Sequence, residues 1–587
     1  MQNKVNIKIN GVDHQTVAGL TILEACQAVD ISIPTLCYLK DINERGSCSI
    51  CVVEVKGARN LVRSCITKIR EGMEIYTNSS RVRNARKLNL ELLLSNHPAE
   101  CFTCDRNLSC DLRKIAFDLG VRDIRFEKIK KHTDRVDDSS VSLVRDADKC
   151  ILCGKCVAVC SKMQSVRAID FSGRGITTKI ATAFDKGLGD SQCVNCGQCL
   201  IVCPTGAITE KNNTDGVWKE IYNTDKVVVV QTAPAVRVAI GEEFGMPTGS
   251  LVTGKMAAAL RKLGFDKVFD TDFTADLTIM EEGSELIERI NNKGTLPMIT
   301  SCSPGWIKFI EHFYPELTGH VSTCKSPQQM FGAIAKTYYA KKMGIDPRKI
   351  TVVSIMPCTA KKFEAKRPEM AGAFDFWKKE LGLKENEMFF DVDYVLTTRE
   401  AARMIKEAGI DFVGLKNEDF DKPLGISTGA AVIFGVTGGV MEAALRTAYE
   451  IITSKTLPRL EFEDVRGLDG IKSAEVDVNG LKVKVAVAHT LSNARKLLDE
   501  IKSGKSPYHF IEIMTCPGGC IGGGGQPLSD NPNVLKKRAA AIYTEDEKKT
   551  IRKSHENPAV QDLYKEFLVK PLGELSHHLL HTKYTKR

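Results

Sequence analysis

The stretches CILCGKCVAVC (150–160) and CVNCGQCLIVCP (193–204) repeat one spacing, C-x2-C-x2-C-x3-C, within a short region. Cysteines at such fixed intervals gather thiolates on tight loops, which suits metal ligation better than core packing. The whole cysteine inventory points the same way. The chain of 587 residues carries 21 cysteines, and 16 of them lie in the first 203 residues. An odd total argues against a disulfide framework in a protein without an export signal. The opening MQNKVNIKING has no apolar stretch of the kind a signal peptide needs, so a cytoplasmic location is expected. Hydrophobic residues make up 43% and charged residues 26%, globular values that exclude wholesale disorder. A net charge of +9 over this length is too dilute for a nucleic-acid binder. No apolar run reaches the roughly 18 residues that a membrane span needs.

In bacterial two-cluster ferredoxins, which the repeat matches, the fourth cysteine of each run binds the other cluster. On that pattern Cys150, Cys153, Cys156 and Cys203 hold one 4Fe-4S cluster, and Cys193, Cys196, Cys199 and Cys160 hold a second. Two further sets precede them. Cys37, Cys48, Cys51 and Cys65 supply four thiolates for a 2Fe-2S cluster, with Gly46, Ser47 and Ser49 small enough to let backbone N–H groups approach the sulfurs. Structural zinc is the rival reading there. His97, Cys101, Cys104 and Cys110 fit zinc and iron–sulfur equally when taken alone. Their place between other clusters favours a third 4Fe-4S cluster with one imidazole ligand, and a neutral ligand in place of a thiolate raises the potential. Cys26 falls with Leu20, Leu23 and Val29 on one face of an expected helix and reads as core.

The alternating segment VNIKIN, ending at Asn10-Gly11, predicts a hairpin with VDHQTV as its return strand. A short helix over TILEACQAVD, a strand at ICVVEV and a helix over 80–95 follow. FEKIKKHTDRVDDSS (126–140) reads as a solvated linker. From about 220 the pattern changes. VVVVQTA (227–233), FDKVFDT (265–271), PMITS (297–301), ITVVSIM (350–356), ISTGAAVIFGV (426–436) and HFIEIMT (509–515) read as buried strands with helical stretches between them. That is α/β architecture with largely parallel strands. At about 150 residues per domain, the length suggests roughly four domains. The remaining cysteines, Cys302, Cys324, Cys358, Cys516 and Cys520, fall at or after expected strand ends, where open α/β sheets place their sites.

Three segments of that second part stand out: TSCSPGW (300–306), MPCTAKKFE (356–364) and EIMTCPGGCIGGGGQP (512–527). Together they resemble the three signature motifs of the iron-only, or FeFe, hydrogenases. The N-terminal cluster series matches the large modular members, and the serine in the first motif and the length resemble the hydrogenase subunit of NAD(P)-linked multisubunit complexes. The resemblance implies a multidomain α+β and α/β chain, ferredoxin-like iron–sulfur domains followed by a large α/β H-cluster domain. The expected division is a plant-type-like 2Fe-2S domain over 1–79, a His/Cys3 4Fe-4S domain over 80–125, a two-cluster domain over 140–210, the catalytic domain over 220–530 and a helical tail over 531–587.

The implied active-site group is the H-cluster, a cubane joined through one cysteine sulfur to a di-iron unit carrying CO, CN and azadithiolate. By position Cys358, Cys516 and Cys520 match cubane ligands, with Cys520 the bridging thiolate. Lys361 matches the lysine that binds a cyanide; a cation beside a charged ligand in a dry pocket also makes sense independently. Met356 and Met514 would pack around the di-iron unit, and the glycines at 518–525 let backbone approach a bulky cofactor. The first motif departs from the commoner pair of adjacent cysteines. Straight register puts Cys302 on the proton donor and Ser303 on the ligand. Ligand chemistry favours Cys302 as the fourth ligand, with Ser303 or a local water in the proton path, because a cubane prefers thiolate to alkoxide. Glu282 and Glu285, three apart on one helix face, and Ser322 match the family's proton relay. On spacing alone the two glutamates would be solvated surface. Cys324 reads as core packing.

The leading expectation is therefore reversible reduction of protons to H2, with electrons relayed through the N-terminal clusters from ferredoxin, from a flavin-bearing NAD(P)-binding partner subunit, or from both. Maturation proteins would supply the di-iron unit. FGVTGGV (434–440) is weakly reminiscent of a dinucleotide loop but lacks G-x-G-x-x-G. An H2-sensing regulator on the same fold is the first rival, although no sensor or kinase-like region is visible. A pure electron-relay subunit is the second, but it would not need Cys358, Cys516, Cys520 and Lys361 in these contexts.

Overall fold

Asn10 and Gly11 both take positive φ (51° and 88°), as a two-residue hairpin turn requires. They join antiparallel strands Lys4–Ile9 and Val12–Val17. Around this hairpin the computed structural model, which describes residues 3–129, 136–478 and 480–587, builds a five-stranded sheet. Its order is Val12–Val17, Lys4–Ile9, Met73–Tyr76, Val52–Val55, Val62–Arg63. Helix Ile22–Gln27 starts at Thr21, whose hydroxyl accepts from the Glu24 N–H while the Glu24 carboxylate accepts from the Thr21 N–H. Its inner face, Leu23 and Cys26 included, joins Ile7, Ile9, Val53 and Ile75 in a core. Helix Ser80–Ser95 follows, capped by Ser79. Of the linker expected over 126–140, residues 130–135 lie outside the described residues. Its end is not simply solvated: Asp137 accepts from Arg145 at 3.1 Å and from the Leu188 N–H at 3.0 Å.

The chain divides into two compact units. The first comprises residues 1–163, 167–193 and 198–209. The second comprises 164–166, 194–197 and 210–587.

The second unit holds two four-stranded sheets. One is wholly parallel, ordered Lys267–Asp270, Val227–Thr232, Ile350–Met356, Tyr394–Thr397. Its central strands read as unbroken apolar runs because helices cover both faces. The other is ordered Met298–Ile299, Phe510–Met514, Leu481–His489, Ile471–Val478; the first three strands run parallel and the last pair forms an antiparallel hairpin. Strand Tyr394–Thr397 and the hairpin were not singled out in the sequence.

ISTGAAVIFGV differs from expectation. It forms helix Gly429–Val432 and a 3-10 turn Ile433–Gly435, not a strand. A short apolar run cannot tell buried helix from buried strand, and here the start is dictated by contacts. Thr428 accepts from the Ala431 N–H and donates to buried Asp276 at 2.6 Å. Gly429 sits so close to the helix Val534–Lys548 that an added Cβ would lie 1.9 Å from Asp546 Oδ1. The tail is helical as expected: Val534–Lys548, Pro558–Leu563 and Glu574–Leu580.

Candidate active site and metal centres

In the first unit three of the four expected ligand sets converge as groups. Cys51 Sγ lies 3.3 Å from Cys65 Sγ. The Cys37 sulfur receives hydrogen bonds from the Cys48 thiol and from the backbone N–H groups of Cys48 and Ser47; the Cys48 contact is the largest influence holding its thiol down at about 5. Gly46, at φ +61°, allows this approach, since a Cβ there would press on Ile66 at 2.9 Å. His97, Cys101, Cys104 and Cys110 line one pocket. His97 Nδ1 is buried without a hydrogen-bond partner among the described residues, and burial lowers its pKa to about 4, so the ring is neutral and able to ligate. Gly206 closes the pocket, where a Cβ would lie 2.6 Å from Cys104 Sγ.

Cys150, Cys153, Cys156 and Cys203 line another pocket together. The fourth cysteine of the second run thus joins the first three of the first run. Cys160 is absent from this pocket's lining and faces Cys193, whose charge adds to the rise that burial gives its thiol. Cys199 lies on helix Gln198–Ile201. Cys196 belongs to the second unit. No disulfide joins any of the described cysteines.

In the second unit one cavity collects the three motifs. Cys302 and Ser303 enter after strand Met298–Ile299, Cys358 after Ile350–Met356, and Cys516 and Cys520 after Phe510–Met514. The cavity therefore sits at the carboxyl ends of parallel strands from both sheets. Cys196, Met356 and Met514 also line it. Lys361, on helix Ala360–Glu364, points in, donating to the Cys302 carbonyl at 3.1 Å and to Glu364 Oε2 at 2.9 Å. Burial pushes Cys520 up to about 12; Cys358 adds to the rise and Lys361 opposes it, so these three groups feel one another.

The residues fit a bulky, anionic, sulfur-ligated group. The cavity is lined mainly by apolar atoms and soft sulfurs. Gln328 Oε1 lines it buried, with no hydrogen-bond partner among the described residues. The backbone of the glycine run is packed as closely as glycine permits: a Cβ on Gly523 would lie 2.0 Å from the Pro357 carbonyl, and one on Gly519 2.6 Å from the Thr437 nitrogen.

The first motif shows its two side chains in different company. Ser303 Oγ lies 2.9 Å from Thr515 Oγ1 and accepts from the Thr515 N–H, beside Cys516. Cys302 is pushed well above the ordinary thiol value by burial and next by the charge of Glu282. Glu282 is raised to about 8, by burial first and by Glu285 second. Among the described residues neither Glu282 oxygen has a hydrogen-bond partner, while the nearby Ser322 hydroxyl and Ser301 N–H favour its charged form. Ser322 Oγ donates to Glu285 Oε2 at 2.8 Å, and Arg289 grips Glu285 Oε1 at 2.6 Å. Helix Asp272–Asn291 carries Glu282, Glu285 and Arg289, with both glutamates buried. Arg289 was missed in the sequence, although its i, i+4 spacing from Glu285 was a legible signal.

FGVTGGV leads into helix Gly439–Thr453, but no phosphate site results. Buried Glu512 accepts from the Gly438 and Met441 N–H groups at 2.7 and 2.8 Å, occupying the donors that an anion would need.

The fold and the cavity define a hydrogenase catalytic domain preceded by iron–sulfur domains, and the chain belongs to the iron-only hydrogenase family. Residues 226–524 match the family described as iron only hydrogenase large subunit, C-terminal domain. The tail, 532–587, matches the iron hydrogenase small subunit, giving a family identity to a segment whose sequence suggested none. Residues 2–80 match a 2Fe-2S iron-sulfur cluster binding domain, 86–125 an NADH-ubiquinone oxidoreductase-G iron-sulfur binding region, and 149–207 a 4Fe-4S dicluster domain. The chain is 52% identical to the NADP-reducing hydrogenase subunit HndD of Solidesulfovibrio fructosivorans, over 99% of both chains. It is 44% identical to iron hydrogenase 1 of Clostridium pasteurianum, over 99% of this chain and 100% of that one. A solved structure of the apo FeFe-hydrogenase HydA1 from Chlamydomonas reinhardtii matches with a TM-score of 0.56 at 44% identity, covering 63% of this chain and 98% of that one. Among the described residues no helix is long and apolar enough to cross a membrane.

Proposed function

We propose that this iron-only hydrogenase catalyses the reversible reduction of protons to H2 in the cavity where the three cysteine motifs meet. The convergence of Cys302, Cys358, Cys516 and Cys520 around Lys361, from loops far apart in sequence, carries the reading. Cys358, Cys516 and Cys520 would hold the cubane of an H-cluster, with Cys520 as the bridging thiolate. When bound, that group supplies an electron-rich di-iron centre at which protons and electrons combine. Lys361 offsets negative charge in a dry pocket, and Glu364 holds its ammonium in place. Met356 and Met514 fill space around the di-iron unit without competing hydrogen bonds.

Protons reach the cavity through Arg289, Glu285, Ser322, Glu282 and Cys302. The 2.8 Å Ser322–Glu285 bond and the elevated Glu282 support this order. For the first motif, the influence of Glu282 on Cys302 supports straight register: Cys302 exchanges protons with Glu282, and Ser303, tied to Thr515, stays on the cubane side. This weighs against the ligand-chemistry reading of Cys302 as the fourth ligand and Ser303 as the proton carrier. Cys302→Ala and Ser303→Cys separate the two. Straight register expects the first to lose turnover with the cubane retained and the second to keep turnover. The reverse result would restore Cys302 as ligand.

In the N-terminal domains we assign one 2Fe-2S cluster to Cys37, Cys48, Cys51 and Cys65, and a 4Fe-4S cluster to His97, Cys101, Cys104 and Cys110. Two more 4Fe-4S clusters fall to the interleaved repeat. Electrons come from ferredoxin, from a flavin-bearing NAD(P)-binding partner subunit, or from both. The similarity to an NADP-reducing hydrogenase subunit supports the second source, as does the oxidoreductase-G match. The enzyme works in the reducing cytoplasm and receives its di-iron unit from maturation proteins. Infrared spectroscopy of anaerobically matured protein tests the assignment: bands of metal-bound CO and CN are expected, and their absence from fully matured protein would refute it.

A further inference from the structure

Cys324 has no part in the relay or the cavity, yet it is not surrounded by apolar side chains alone. It lies in a buried corner with Glu285 and His581, where one ligand atom from each falls within 4.8 Å of the other two. Cys324 Sγ is 3.9 Å from Glu285 Oε2 and 4.0 Å from His581 Nδ1. We propose that Glu285, Cys324 and His581 form a buried site for a divalent transition-metal ion of zinc's class.

The donor set is the first argument. Thiolate, imidazole and carboxylate are the three ligand types that zinc takes, and three protein ligands leave a fourth position for water. A tetrahedral site needs the two sulfur separations to contract by about half an ångström, given metal–sulfur and metal–nitrogen lengths of about 2.3 and 2.0 Å. Charge is the second argument. A buried dication needs compensation, and one carboxylate with one thiolate supplies two negative charges; the thiol proton leaves as the metal enters.

The surroundings are the third and most specific argument. Ligating histidines usually donate their other ring N–H to a carboxyl group. His581 Nε2 faces Glu281 Oε2 at 3.1 Å, and Glu281 is itself fixed by Tyr564 OH at 2.6 Å and the Leu572 N–H at 2.9 Å. With Nε2 protonated, the neutral ring presents the Nδ1 lone pair to the Thr323 hydroxyl at 2.8 Å, with Cys324 Sγ at 4.0 Å, and a metal ion would take that hydroxyl's place. Glu285 is held likewise: Arg289 takes Oε1, while Oε2, which accepts from the Ser322 hydroxyl at 2.8 Å and the Thr323 N–H at 3.0 Å, lies on the side of the sulfur. The backbone fixes both halves, since Lys325 N donates to the Leu580 carbonyl and Thr582 N to the Thr323 carbonyl, each at 2.7 Å. The entrance is short. Cys324 is fully buried, but His581 is 8% exposed and its ring lies 4.5 Å from that of exposed His577.

Binding here displaces Ser322 Oγ from Glu285 Oε2 and so would halt proton traffic. That consequence rests on the relay proposed above; the binding does not. The test uses matured holoenzyme with Zn²⁺ as the probe, in equilibrium dialysis with elemental analysis, zinc-edge X-ray absorption and H2 evolution. Cys324→Ala and His581→Ala are compared with the unaltered chain, each against itself under chelator. Zinc held by the unaltered chain with one sulfur neighbour, and weakened about 10- to 100-fold in either variant, is the expected result. Equal zinc affinity in the unaltered chain and Cys324→Ala overturns the site, and does so even if His581→Ala fails to fold. Zinc bound through these residues without loss of H2 evolution leaves the site standing and removes Glu285 from the relay.

Discussion

Ser322 Oγ stands 2.8 Å from Glu285 Oε2 and close enough to buried Glu282, on the same helix face, to favour its charged form. Ser322→Ala leaves the carboxyls in place and removes the hydroxyl beside them. H2 evolution should fall by about 10²-fold or more, the usual weight of a positioned proton-transfer group. Iron content and the visible spectrum should be unchanged. Steady-state assays beside metal analysis check this.

Glu282, raised to about 8, sets a pH limit. Burial raises it most, with Glu285 and Glu512 adding, while Ser322 and the Ser301 N–H act against them. Below that value the carboxyl holds a proton it can pass on, so proton reduction should decline as pH rises through about 8. The stability sign follows from the same shift. With a folded value above the ordinary 4.5, the contribution is complete below 4.5 and is lost as pH climbs through about 8. Glu282→Gln should abolish turnover and flatten this part of the pH dependence of the unfolding midpoint.

Lys361 donates to both Cys302 O and Glu364, and it is the ammonium that faces the sulfur-lined cavity. Lys361→Ala should reduce H2 activity by at least about 10²-fold, the scale seen when a preorganised charge is deleted. Cys520→Ala should do the same by removing the bridging thiolate. Electron paramagnetic resonance of the N-terminal clusters should be unaltered in both variants. Full activity in either one contradicts the site.

His97, half-buried and neutral, should be needed for its own cluster and for no other. His97→Ala should lower iron content by one four-iron cluster. His97→Cys should retain the cluster at a lower potential, because a thiolate adds negative charge. Redox titration followed by electron paramagnetic resonance measures both.

Asp546, in the tail helix Val534–Lys548, binds Arg446 at 2.8 Å and Arg552 at 2.7 Å, with Arg446 and Asp546 fully buried. Asp546→Ala leaves the buried Arg446 guanidinium with Glu442 alone, at 2.6 Å, and should destabilise the fold by less than the roughly 3–5 kcal/mol of a fully stranded charge. A lowered thermal or denaturant midpoint reports it. A Cβ at Gly429 meets the same carboxylate, so Gly429→Ala should also destabilise.

The sequence alone determined what local chemistry encodes. Cysteine intervals declare clusters because ligands on one loop must reach one metal ion. Asn10-Gly11 declares a turn because only such residues accept its dihedral angles, and unbroken valines at 227–230 declare a strand covered on both faces. Tertiary structure decided what lies beyond that range. GAAVIFG is apolar all round, so its helix depends on Thr428, Asp276 and the close approach of Asp546 rather than on periodicity. Residue spacing gives no distance between Cys302 and Glu282, nor between His581 and Glu281, which are 300 residues apart. Such groups meet because parallel strands of two sheets end on one cavity and the C-terminal segment folds back over helix Asp272–Asn291. Burial at those meeting points then shifts a carboxyl or thiol from surface behaviour to chemistry.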